Sequence, residues 1–348
     1  MATGTYFRGW AIAAILIAAG AAPAQPRRAY GVVGRMPPAL EGEAEWLVNV
    51  PNVEGVRLAQ STEAVSRPDT NVGADPVLRT PPERGLLQSI DLLADWAPRL
   101  EDDSVGRSTF SASVGLGVPP HLLGIPLLLT PRAAIHLVDG PADADAPPRL
   151  YDLDLSVGTF KQLGPRWSAR GSVTTGVYGD DYSLGESDAL RVSGFGIALW
   201  DAAPGWQWVI GAAYLNRDDI AVVPAIGVIH DRGDYRYEIT APRGRVVRRL
   251  PQSPYGEQRA LYFAAELGGG AWAVRRADGQ TDTLNLSRWG VLLGYESGPA
   301  AGGSPSAAGA WKRRYEIGYL FGRELEFADT EEEFSLDDTL IVRGGWSY

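Results

Sequence analysis

Three short stretches set ionisable residues two apart: "YDLDLS" with Asp152 and Asp154, "YRYEIT" with Arg236 and Glu238, and "RYEIG" with Arg314 and Glu316. In an extended chain a spacing of two puts both side chains on one face. Neighbouring alternating stretches carry Arg132, His136, Arg170, Glu266, Arg288, Glu296 and Arg343 on the corresponding face. Acids and bases are balanced in this set. Such residues can line an aqueous path and set its charge preference, or they can pair with one another and fill the space they enclose. The residues leave both readings open.

Other chemistry has less support. The chain has three histidines, His121, His136 and His230. His230-Asp231 could orient an imidazole, and Asp180-Asp181 or Asp218-Asp219 could hold a water. There is no Ser/His pair at an informative spacing and no G-x-S-x-G stretch, so the expectation is a protein that is not an enzyme and carries no cofactor. "DGPADADAPP" and "GDDYSLGESD" supply oxygen ligands without a full calcium-loop spacing. Arg243, Arg245, Arg248 and Arg249 could meet lipid phosphates or face water at a rim.

Composition narrows the partners. A net charge of −10 argues against nucleic acid, which requires a basic surface. No cysteine is present, so disulfides and thiolate metal sites are excluded.

The elements that must position the charges are strands. "TFSASVGLGV" sets Phe110, Ala112, Val114, Leu116 and Val118 against Thr109, Ser111, Ser113 and two glycines. "LLLTPRAAIHL", "RWSARGSVTTGVY" and the stretches above repeat the scheme, with "QLGP", "DAAPG", "DRGD" and "ADGQ" as turns between them. A soluble sandwich would turn the apolar face inward, whereas a membrane barrel turns it to lipid. Three observations favour the barrel. Many segments approach the roughly ten residues of a tilted membrane strand. The opposite face is small, hydroxylic and sparsely charged. Aromatic residues (Trp96, Tyr151, Trp167, Tyr178, Trp200, Trp206, Tyr235, Trp311, Trp346) gather at segment ends, where interfacial girdles belong.

Residues 1–24 read as a cleaved signal peptide: Arg8, then "WAIAAILIAAGAA", then Ala22-Pro23-Ala24. Residues 25–85 are rich in Pro, Gly and acids and read as a periplasmic extension or linker. Thirteen strand candidates follow within 86–348, and the candidate at 221–230 contains Pro224, which lacks a ladder donor. Barrels of this kind have even strand numbers, so the expectation is an all-β, up-and-down antiparallel transmembrane barrel of about twelve strands, with ten to fourteen allowed. A bulge is expected at Pro131. Arg323 falls on the outward parity of its segment and calls for a rim position or a bulge. The closing "TLIVRGGWSY" alternates to its end, and Trp346 and Tyr348 read as an assembly signal.

Several segments together resemble an uncharacterised outer-membrane β-barrel family frequent in planctomycetes, a domain of unknown function. They are "LLLTPRAAIHLVDGP", "LRVSGFGIALW", "VVPAIGVIHDRGDYRYEITAPRGRVVRRL" and "YEIGYLFGRELEF", with Pro224, Gly227, Pro242 and Arg243 in the motif positions. The similarity covers roughly 86–348. It implies a barrel in the outer membrane. From the reading as a whole the expected partners are membrane lipid and the barrel-assembly machinery, with small solutes as what could pass. It supplies no catalytic or ligand residues. Porin-like passive transport is the leading functional expectation. A plugged barrel with a structural or surface-binding role is the alternative, and a soluble β-sandwich or a barrel hydrolase stands further back.

Overall fold

The computed structural model describes residues 86–101, 104–118, 125–140, 145–217, 220–299, 311–330 and 332–348. The expectations for residues 1–24 and 25–85 lie outside the described residues. Fifteen strands follow in order: β1 Leu87–Ala97, β2 Gly106–Val118, β3 Leu127–Asp139, β4 Arg149–Gln162, β5 Trp167–Gly179, β6 Leu190–Ala203, β7 Trp206–Tyr214, β8 Val222–Arg232, β9 Tyr235–Thr240, β10 Arg243–Leu250, β11 Gln258–Arg275, β12 Thr281–Gly298, β13 Lys312–Phe327, β14 Glu332–Leu336 and β15 Thr339–Ser347. Each strand from β1 to β13 pairs antiparallel with the next, β13 pairs with β15, and β15 pairs with β1. The sheet therefore closes on itself with fourteen strands, and β14 is a short arm folded back on the upper part of β13. Among the described residues no helix is long and apolar enough to cross a membrane. The crossing is made by strands.

The count corrects the expected twelve, and the reason is local. The single candidate at 235–250 is two strands, turned at Ala241-Pro242, because proline cannot continue a ladder. Pro224 does not remove β8, which pairs along its length with β7. Pro131 sits in β3 without the expected bulge. Pairing to β2 skips from Ser113↔Arg132 to Leu116↔Leu129 with the register unchanged, so the missing donor is absorbed by an interrupted ladder.

Closure divides the side chains into two environments. On β13, Ile317 is 55% exposed while its neighbour Glu316 is 3% exposed. Phe110, Val173, Ile210, Ile226, Ile239, Phe263 and Leu293 share the outer face with Ile317. In water such a surface would greatly exceed the apolar patch a soluble protein tolerates, at about 1.5–3 kcal/mol for each large side chain left unburied. Lipid removes that cost, and the molecule is a transmembrane barrel.

Aromatic rings bound the outer band. Trp167 stacks on Trp200 at 5.8 Å and Trp206 on His230 at 3.9 Å at the end of the barrel where the chain terminates. Trp96, Tyr151 and Tyr214 stand at the other end. Trp206 and Tyr214 bracket β7. Eight steps of about 3.3 Å, tilted by about 40°, separate them by roughly 20 Å along the membrane normal, close to the apolar band of such barrels.

The inner face is not uniformly polar, which departs from the simple parity of the sequence. On β6–β8 it carries Ile197, Leu199, Val209, Ala225 and Ile229, all buried in one cluster.

Candidate functional site

The expected interior residues are brought together by register. Arg243 lies directly opposite Glu266 on β11, and Arg343 directly opposite Glu316 on β13. Two further contacts span several strands: Arg343 reaches Glu266 at 3.0 Å and Arg243 reaches Glu316 at 3.0 Å. With Arg343–Glu316 at 2.8 Å and Arg243–Glu266 at 3.3 Å, two arginines and two glutamates form a closed, buried square. Tyr262 adds a hydroxyl donor to Glu316. Arg245 lies opposite Glu238 and contacts it at 2.5 Å, and it also meets the half-buried Glu296 at 3.4 Å. Arg236 links Glu238 (2.6 Å) to Asp231 (2.9 Å), and Arg249 also contacts Asp231. Glu296 stands opposite the half-buried Arg314. Arg243 and Arg245, read from the sequence as rim or headgroup contacts, are thus interior. Their strand is set by Pro242, and from there the alternation turns both inward.

A second cluster sits on β2–β4. Arg132 contacts Asp152 and Asp154, each at 2.9 Å. His136 Nε2 lies 3.1 Å from Asp152, and His136 Nδ1 shares a 3.1 Å hydrogen bond with Thr109. Hydroxyl, imidazole and carboxylate in that order resemble a nucleophile relay. Thr109 is only 1% exposed, so no substrate reaches it in this conformation. Arg170 is buried beneath Phe160, 5.2 Å from its ring centroid. His230 is a stacking partner of Trp206 at the aromatic rim, with Nδ1 3.0 Å from the Gly205 carbonyl. Among the described residues no group of His, Asp and Glu is arranged to hold a metal ion. Of the proposed assembly residues, Trp346 is in edge contact with Tyr315 and Tyr348 lies against Trp311.

The feature that sequence reasoning missed closes the end of the barrel opposite Tyr348. Beyond Gly268-Gly269-Gly270, the β11–β12 hairpin arches across the lumen. Gly269 has φ +142°, and a Cβ there would lie 1.9 Å from the Leu286 carbonyl oxygen, so the bend requires glycine. Ala273 reaches β5, pairing in parallel with Gly179. Trp272 reaches the second cluster, donating its indole N–H to Asp152 at 2.7 Å. Beneath the arch Trp272, Val274, Leu284 and Leu286 pack with Val105, Leu150, Leu325 and Phe327 in an apolar core. The arch is tied down on both sides. The Arg275 N–H donates to Asp180 (3.0 Å), while Glu186 accepts from Thr281 (2.6 Å) and Arg275 (2.8 Å). Arg276 contacts Asp145 (2.9 Å), Glu332 (2.7 Å) and Asp282 (3.5 Å), and lies 3.7 Å over the Phe327 ring.

These loop groups titrate accordingly. Hydrogen bonds from Thr281 and Arg275 hold the Glu186 carboxyl below its ordinary range. Partial burial pushes Asp145 up, but the Ala277 N–H and Arg276 outweigh it and its pKa is lowered. Burial works against the charge of Arg276, and its bonds to Glu332 and Asp145 more than offset this, raising its pKa.

A signal for the arch was present in the triple glycine. Arg323 had a signal too. An extra residue on β13 between the pairs Ser287↔Glu324 and Trp289↔Phe321, with Gly322 at φ +54°, reverses the strand's parity and turns Arg323 inward.

Residues 142–288 match a family described as "Domain of unknown function (DUF6268)". The solved structures that resemble the chain include two channels. One is an outer-membrane channel from Pseudomonas putida F1, 14% identical, covering 77% of this chain and 99% of that chain with a TM-score of 0.37. The other is the TodX monoaromatic hydrocarbon channel as a deltaS2 mutant, 9% identical, covering 74% of this chain and 88% of that chain with a TM-score of 0.27. No curated protein sequence matches the chain. Fold and site together define a closed fourteen-stranded transmembrane β-barrel whose lumen is crossed by its own hairpin.

Proposed function

We propose that the protein is an outer-membrane barrel that passes small solutes passively, and that the β11–β12 arch is the gate of that path in its closed position. Outer-membrane residence is supported by the lipid-facing apolar band with aromatic rims, since closed barrels are how strands cross a bilayer. The observation that carries the gating reading is the glycine-hinged hairpin. Its far side meets β5 through one backbone pairing and not a continuous ladder, and the rest of its hold comes from loop ion pairs, the Trp272–Asp152 bond and the apolar core beneath it. On this reading the protein is not an enzyme, and membrane lipid and the assembly machinery are its other partners.

The square of Arg243, Glu266, Arg343 and Glu316 favours a second reading, in which the barrel is permanently plugged and structural. Proteoliposome swelling separates the two. Wild-type protein should admit small solutes slowly, and Arg276→Ala, which loosens the arch, should admit them several-fold faster. Equal and negligible rates for both proteins would leave only the plugged reading.

A further inference from the structure

Closure sorts the charges of one rim by direction. At the end of the barrel that holds Tyr348, Arg232 is the last residue of β8 and Arg248 lies two residues before the end of β10. Arg232 shares the parity of Ile226, and Arg248 that of Val246, both on the outer face. The acids at this level face the other way. Asp231 is held on the inner side by Arg236 and Arg249, and Glu296 meets Arg245 there. Of the four arginines in "RGRVVRR", three turn to the interior and only Arg248 is left outside.

Register brings the two outward arginines into one row. Arg232 stands opposite Tyr235 on β9, and Tyr235 stands opposite Arg248 on β10. The row is a cation, a phenol and a cation across three adjacent strands. The two arginine backbones are two strand spacings apart, about 10 Å, so both side chains can reach a group seated over the tyrosine. Arg248 already leans that way, with its guanidinium 5.9 Å from the Tyr235 ring centroid. Neither arginine forms an ion pair among the described residues, and Asp234 in the turn between β8 and β9 does not pair with them. One outward step toward the bilayer, His230 stacks with Trp206 and Tyr237 in the aromatic girdle of this rim. The arginines therefore stand at headgroup depth, on the lipid side of the wall.

We propose that this row binds an anionic glycerophospholipid, with the phosphate between Arg232 and Arg248 and over the Tyr235 ring. Guanidiniums grip phosphate oxygens through a planar fork, and the acyl chains run along the apolar outer face above. Basic residues beside a bilayer draw anionic lipid to the surface; two of them converging across one tyrosine give the phosphate a fixed place. The site lies on the outer surface, so it stands apart from the gating reading and survives if the barrel is permanently plugged.

The test is native mass spectrometry of the full-length barrel in a non-ionic detergent, titrated with dioleoylphosphatidylglycerol or dioleoylphosphatidylcholine. The first phosphatidylglycerol should bind at least tenfold more tightly than the first phosphatidylcholine. Arg232→Gln combined with Arg248→Gln should abolish that preference. Arg313→Gln removes the same charge from another exposed position of the same rim and should leave the preference intact. Arg248→Lys keeps the charge and loses the fork, so it should fold like the wild type, as read by heat-modifiability, and weaken phosphatidylglycerol several-fold. Equal affinity for the two lipids would overturn the proposal, as would equal losses in Arg313→Gln and the double variant, which would mean diffuse rim charge. Displacement of the lipid by an equal concentration of inorganic phosphate would overturn it too, since the row would then be a free-anion site.

Discussion

Replacing Arg276 by alanine should release the arch while leaving the barrel wall intact. Arg276 lies beyond the end of β11 and bridges Asp145, Glu332 and Asp282 while covering Phe327. Its side chain is only 13% exposed, so the contacts are partly shielded from water. Partly exposed ion pairs are worth about 0–1 kcal/mol each, and a guanidinium over a ring about 0.5–1 kcal/mol. Taken together the loss is about 2 kcal/mol, which shifts the closed-to-open ratio by roughly 30-fold at about 1.4 kcal/mol per decade. The absence of native cysteine allows clean labelling. Nitroxides placed by Asp278→Cys at the arch tip and Asp188→Cys beside β6 would report the distance between hairpin and wall by pulsed electron resonance. One narrow distribution is expected for the otherwise wild-type chain, with a longer component growing in the Arg276→Ala background. An unchanged distribution would mean that the apolar core alone holds the arch, and that the loop ion pairs contribute nothing to closure.

Other perturbations address separate parts of the account. Acid should loosen the arch, because Glu186 and Asp145 have lowered pKa values in the closed form. Their stabilisation is complete above the ordinary carboxylate range near ~4 and is lost as pH falls through the lowered values, so the long-distance component should appear below about pH 4 and not between 5 and 8. Glu316→Gln should lower the stability of the folded barrel by about 3–5 kcal/mol, since it leaves Arg243 and Arg343 buried with one acid between them; heat-modifiability on gels reads this directly. Ile317→Arg, one residue along, faces lipid instead and should cost about 2–4 kcal/mol if it lies near the midplane. Folding yield into vesicles would show it, and an unaffected yield would place that face away from lipid. Gly269→Val puts a side chain where the Leu286 carbonyl lies, so it should abolish the closed distance altogether, and a closed distribution in that variant would refute the hinge.

Much of this architecture was legible because a period of two is hard to counterfeit. The alternation around Asp152 and Asp154, or Arg314 and Glu316, allows one face to lipid and one inward, and the charges choose which. Strand number was less legible. Residues 235–250 alternate almost without interruption, and only Pro242 marks the turn between β9 and β10. Parity failed at Arg323 because the bulge at Gly322 adds a residue that hydrophobicity cannot register. The inner face of β6–β8 escaped notice because Ile197 and Leu199 alternate with residues that are also apolar, so neither face announces itself. The packing beneath the arch was beyond reach for a different reason. Trp272 meets Asp152 across 120 positions of sequence, and Arg107, Arg288 and Arg323 come together only once the barrel closes and the hairpin folds over it.

Planar-bilayer recording of single barrels tests the central claim most directly. The wild-type protein should give small, infrequent openings, and a variant with residues 271–284 replaced by a short turn should give a steady conductance many-fold larger. Large, continuous conductance in the wild type, or silence in the shortened variant, would contradict a lumen gated by its own hairpin.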